Sequence, residues 1–190
     1  MVEVIGALFY LLNKIFFLLR ELAGQRGDHE AVRLWKISAW ASGLIGLPFV
    51  AWILLNERYW IFGWLELGVA PSMILGIVRA YNNTTKPMPR WVDRVVDGAI
   101  GFGAGYSACD LGGLWSVTQG LEMVAVVTFL LGSWQLSTKD DRNGYIAYLF
   151  MFAAAGTLLF IGGYYWFAIQ QIASAIIIAY AYHLAGSRKH

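Results

Sequence analysis

Glu66 and Glu122 are the first residues to weigh, because each is a carboxylic acid set inside an apolar run. Ionisable side chains in such runs are costly and usually face a bundle interior or a water-filled cavity. Two readings stay open: the pair lines a cavity and binds a polar solute or a proton, or the carboxyls are solvated near headgroups and paired with Arg58. Gln170 and Gln171 add amide donors and acceptors, as does Gln119. As neighbours on a helix, Gln170 and Gln171 point about 100° apart, so one is expected inside and the other against a neighbouring helix. Trp134 completes the candidate solute-binding set of Glu66, Glu122, Gln170, Gln171 and Trp134. Pro48 and Pro71 fall in the middle of two adjacent apolar segments, and each removes a backbone donor. They are candidate gating positions or plain kinks.

The chain that must position these groups has 190 residues, 58% of them hydrophobic and 14% charged. A soluble domain carries about 25% charged residues, and the mean hydropathy is +0.56. That combination excludes a soluble enzyme and a disordered tail. The net charge of +2 is too small for a phosphate-binding surface, so no nucleic acid is expected. A single cysteine, Cys109, excludes a disulfide framework and a cysteine-based metal cluster. A last helix without lysine excludes a retinal protein, and one histidine in a span, His183, is too few for a bis-histidine haem. No nucleophile–base constellation is legible. No catalytic residue, cofactor or metal is therefore assigned, and no enzyme is expected.

A spanning helix needs about 20 mostly apolar residues. Segments 34–55, 60–80, 114–136, 145–161 and 164–183 satisfy this. Residues 143–187 hold no Asp, Glu, Lys or Arg, and Gly162-Gly163 is the place to fold that stretch into a hairpin. Segment 91–111 starts with Asp93, Arg94 and Asp97 and continues through Gly98, Gly101, Gly103 and Gly105. Small residues let membrane helices approach closely, so it is expected to be buried among other helices. Segment 2–22 either spans or lies in the interface with Lys14 snorkelling. If it spans, Lys14 is deep and needs a carboxylate, for which Asp97 is one candidate. The expectation is one all-α polytopic membrane domain over 1–190, with six to seven transmembrane helices.

Basic residues alternate along the loops. Arg20, Arg26, Arg33 and Lys36 mark one, Arg79, Lys86, Arg90 and Arg94 another, Lys139 and Arg142 a third, and Arg188 and Lys189 the C-terminus. The intervening loops hold only Arg58. Positive residues favour the cytoplasmic side, so the C-terminus is expected inside and, with seven spans, the N-terminus outside. Three outer edges also read alike: Trp60 to Glu66, Trp115 to Glu122, and Trp166 to Gln171.

The C-terminal part of the chain resembles one triple-helix unit of the SWEET and PQ-loop transporters. A helix ends at Gly132-Ser133-Trp134-Gln135, Lys139 follows, and Gly162-Gly163 with Tyr164-Tyr165-Trp166 precedes the last helix. Leu121 through Trp134 to Lys139 is also similar to a helix of the PnuC transporters. The resemblance implies two triple-helix units joined by a linker helix, and a transporter or facilitator of a small polar solute. It departs where Trp134 replaces the proline of the Pro-Gln pair. The rival expectation is a non-transporting membrane subunit or assembly factor that docks through Gly98–Gly105. The expected partners are the lipid bilayer, a small polar solute, and either further copies of this chain or other membrane subunits.

Overall fold

The computed structural model describes residues 1–84, 88–113, 116–137 and 141–187, without the side chains of 136–137, 141–142 and 185–187. Seven helices follow one another: α1 Val2–Gln25, α2 His29–Asn56, α3 Trp60–Tyr81, α4 Arg90–Leu111, α5 Val117–Ser137, α6 Asp141–Ile161 and α7 Tyr165–Ser187. All but α4 are long and apolar enough to cross a bilayer. The protein is a multi-pass integral membrane protein. The Trp115 and Lys139 readings lie outside the described residues.

Local chemistry sets the boundaries. Asp28 caps α2, its carboxylate accepting from Ala31 N at 2.9 Å. Gly112, at φ +69, closes α4 in the left-handed conformation. Ser116 and Gln119 form a reciprocal capping box ahead of α5. Gln119 N donates to Ser116 Oγ at 3.1 Å, and Ser116 N donates to Gln119 Oε1 at 3.0 Å.

Six helices close a ring in the order α1, α2, α3, α5, α6, α7, with α7 returning to α1. This arrangement has an internal two-fold character. Exchanging α1, α2 and α3 for α5, α6 and α7 maps each packed pair onto another packed pair. The two turns agree in detail. Tyr59 N bonds Leu54 O at 2.8 Å and Gly63 N bonds Tyr59 O at 2.8 Å; Tyr164 N bonds Leu159 O at 2.9 Å and Ala168 N bonds Tyr164 O at 3.0 Å. Arg58 at φ 62 stands where the second turn has Gly163 at φ 81. In this register Tyr59 matches Tyr164, Phe62 matches Phe167, and Glu66 matches Gln171. The chain is thus two triple-helix units joined by α4.

One sequence expectation changes here, for α4. The first helix α1, which covers segment 2–22, is long and apolar enough to span and packs between α2 and α7, with Gly6, Ala7, Asn13 and Ala23 buried. Its apolar residues have helices to cover on two sides. The linker α4, in contrast, is not buried among several helices. It lies outside the ring, mainly against α3, with Val92, Gly103 and Ser107 buried and Asp93, Asp97, Gly98, Gly101 and Gly105 exposed. Of the glycines on α4, Gly103 makes the close approach: an added Cβ there would lie 2.7 Å from Trp60 O.

Candidate functional site

The polar interior is built from one face of α1. Tyr10, Asn13 and Lys14 fall at spacings of three and four, so they share a face. The Tyr10 hydroxyl donates to Glu66 Oε2 on α3. Asn13 Nδ2 donates to Ala39 O of α2 at 2.7 Å. Lys14 Nζ stands over the Phe152 ring of α6, 5.7 Å from its centroid, and its charge attracts the Glu66 carboxyl. Counting about 1.5 Å per helical residue, Lys14 and Phe152 each lie near the middle of their helices, and Glu66 about 9 Å below the start of α3. Lys14 and Phe152 therefore meet near mid-span, where the first unit faces α6, and Glu66 lies closer to the end where α1 and α3 begin. The cluster's charged members all belong to the first unit, and Phe152 is the second unit's contribution.

A second set of groups holds the units together at the end where α1, α3, α5 and α7 begin. Glu122, fully buried, accepts from Phe62 N at 3.0 Å. Glu3 Oε1 accepts from Trp166 N at 2.8 Å and Phe167 N at 3.3 Å. Phe62 and Phe167 are matched positions, so each unit's first helix places a carboxylate on the open N-terminus of the other unit's third helix. Carboxylates are favoured there by the helix dipole and the free N–H groups. Matched tyrosines cross as well. Tyr59 OH donates to Leu158 O at 3.3 Å and Tyr164 OH donates to Glu57 Oε1 at 2.7 Å. The bond to Glu57, with burial and the neighbouring charges, pushes the Tyr164 phenol up to about 12. Burial and the nearby Glu57 also raise Tyr59.

The sequence-derived residues are distributed over these features. Glu66 belongs to the central cluster. Glu122 is a cap, and its match is Glu3 rather than Glu66, because the like-reading outer edges belong to helices of different rank within each unit. Arg58 pairs with neither glutamate. It donates to Asp110 Oδ1 at 2.8 Å, and Trp60 Nε1 donates to Asp110 Oδ2 at 2.8 Å. Asp97 is not the partner of Lys14, since α4 lies away from α1 and Asp97 is exposed.

Gln170 and Gln171 are both buried. Gln170 Nε2 donates to Ser174 Oγ at 2.7 Å, and Gln171 Nε2 donates to Gln170 Oε1 at 3.2 Å. Gln171 also walls an α6–α7 groove with Leu149, Phe152 and Ile172. Gln119 joins α4 to α5, donating to Ser107 Oγ at 2.9 Å and Gly113 O at 2.8 Å. Trp134 is 63% exposed on α5, while Gly132 packs against Gly144 O and the Tyr148 ring of α6. Pro48 and Pro71 lie inside α2 and α3, which run unbroken through them.

Sequence reading missed Glu3, Tyr10 and Phe152 as members of these clusters. The shared helical face of Tyr10, Asn13 and Lys14 was the available signal for the first helix. Among the described residues no group of His, Cys, Asp and Glu could hold a metal ion. Scans against known protein families, curated proteins and solved structures return no match to this chain.

Proposed function

We propose that the protein is a membrane carrier for a small polar solute, which binds between the two triple-helix units. The observation that supports this most is the Tyr10–Glu66–Lys14 cluster. A half-buried cation near mid-span and a carboxyl within a spanning helix are expensive in a membrane and mark transport pathways by default. Parallel repeats related by an axis along the membrane normal, with a site near the midplane at their interface, are a recurrent carrier plan. The four cross-unit contacts from Glu3, Glu122, Tyr59 and Tyr164 then form a closed gate at one face. Arg20, Arg26, Arg33, Arg79 and Arg90 lie toward the opposite helix ends, which supports a reading with the gate outside and the C-terminus in the cytoplasm. Pro48 and Pro71 let α2 and α3 bend as the units rock. Gln170 and Gln171 line the second unit's side of the path.

Uptake into proteoliposomes tests this reading. The purified chain is reconstituted and exposed to labelled sugars, nucleosides, vitamins, amino acids and organic acids. At least one class should accumulate faster than in empty vesicles, and Glu66→Gln should slow it. No uptake of any class would overturn the proposal. A second reading, a non-transporting subunit, is favoured by one observation: added Cβ atoms at Gly98, Gly101 and Gly105 would meet nothing within 4 Å. That leaves an uncovered small-residue face on α4. Mass measurement of the gently solubilised protein from its native membrane separates the two, since unrelated chains bound in fixed ratio favour the subunit.

A further inference from the structure

We propose that Lys14 is an anion receptor and that the site between the units takes a small organic carboxylate. This rests on the carrier reading and names its solute class. The argument starts from unmet hydrogen-bonding capacity. An ammonium carries three donors and no acceptor. Among the described residues no acceptor lies within hydrogen-bond distance of Lys14 Nζ, which faces the Phe152 ring instead. Glu66, which receives the Tyr10 hydroxyl, acts on Lys14 through its charge and makes no hydrogen bond to Nζ. The elements around Lys14 offer no second carboxylate. Phe152 on α6 and Gln171 on α7 are neutral, and Glu122 is occupied at the outer end by the start of α3.

A solute carboxylate meets this need in both charge and geometry, since hydrogen bonds between ionised partners are roughly twice as strong as neutral ones. A cationic solute would have to approach Lys14 against its charge and compete with Tyr10 for Glu66. The second unit adds a further hint. Gln171 Oε1 is buried and has no partner, and Gln171 shares a groove wall with Phe152. A carboxylate that also carries a hydroxyl or amino donor satisfies both groups at once, so hydroxy acids and amino acids are the favoured members of the class.

The test uses the full chain in detergent and in proteoliposomes, with lactate, glycolate, alanine and serine as probes. Each is paired with its neutral amide, and ethanolamine serves as the cationic control. At least one carboxylate should raise the Tm dose-dependently and be taken up, while its amide should not. Lys14→Gln should weaken that carboxylate by at least roughly thirtyfold, the lower range for breaking a buried charge pair, and Lys14→Arg should retain most of it. If Lys14→Gln does not fold, the carboxylate–amide contrast in the unaltered protein decides alone. Uptake of neutral or cationic solutes without carboxylates would overturn the anion proposal and leave the carrier reading standing. Uptake of nothing, from these probes or the wider panel, would overturn both.

Discussion

The crossed carboxylate caps make a quantitative prediction, with Glu122 as the test. Its side chain is fully buried and accepts from Phe62 N at 3.0 Å. Glu122→Ala strands that N–H, which costs about 1–3 kcal/mol. It also removes a negative charge from a helix N-terminus, worth about 0.3–1 kcal/mol. The sum, before any cavity cost, is about 1–4 kcal/mol. Glu122→Gln keeps an acceptor oxygen in place and should lose only the charge contribution, under about 1 kcal/mol. At roughly 2–4 °C per kcal/mol for a chain of this size, Ala should lower the Tm several times further than Gln. Thermal unfolding followed by tryptophan fluorescence reads both, because Trp60 and Trp166 sit at the two capped helix starts. Glu3 supplies the internal control: it is only half-buried, its bonds lie at the surface, and Glu3→Ala should cost about 1 kcal/mol. Equal losses for Glu122→Ala and Glu122→Gln would refute the cap argument. So would a larger loss at Glu3 than at Glu122.

Other outcomes are expected from the same geometry. Gly103→Ala forces a Cβ to within 2.7 Å of Trp60 O and should destabilise by about 1–3 kcal/mol, as overpacking does. Gly101→Ala meets open space and should be neutral or stabilising in the same melts. Tyr10→Phe takes the donor from Glu66 and should slow solute uptake without changing helix content by circular dichroism. Trp134→Ala, at an exposed position of α5 away from the Tyr10–Glu66–Lys14 cluster, should leave uptake unchanged. Tyr164 gives a pH signature. Its folded value of about 12 exceeds the ordinary phenol value of 10.0, so the neutral phenol is favoured in the fold. Its contribution is complete below pH 10 and is lost as the pH rises toward 12. Denaturant melts across that window should show the loss, and Tyr164→Phe should flatten it.

Composition and apolar run length carried the helices, because each run has to cross about 30 Å of hydrocarbon and few alternatives bury so many apolar residues. The hairpin at Gly162-Gly163 was legible for the same reason a turn is: Gly163 adopts φ +81. What escaped was tertiary. A small-residue helix reads the same whether one side or every side is covered, so α4 was expected in the interior and lies against α3. Glu66 and Glu122 look equivalent as carboxyls below an outer tryptophan. Only the packing order reveals that one sits on a third helix and the other on a first. Trp134 is exposed, and a tryptophan's chemistry does not reveal which face of an apolar helix it occupies.

The two-fold register explains why the candidate solute site is charged on one side only. Structural demands are matched between the units: Glu3 with Glu122, Tyr59 with Tyr164, Phe62 with Phe167. These positions cap helices and close turns, tasks that both units must perform. At the centre the match breaks down. Glu66 faces the register of Gln171, and the acid's partners Tyr10 and Lys14 are supplied by α1 alone. Symmetric charges there would place two ammonium groups, or two carboxyls, across one low-dielectric gap, where unit charges a few ångströms apart repel strongly. A single cation in the first unit, opposite an aromatic ring and an amide in the second, avoids that repulsion and leaves its N–H donors to one anionic group. The same reasoning fixes a consequence: Gln171→Lys, which would set a second cation in the register opposite Glu66, should destabilise the protein or shift its preference from monoanions toward dianions. A Gln171→Lys protein with unchanged stability and unchanged solute preference would place Gln171 outside the solute path.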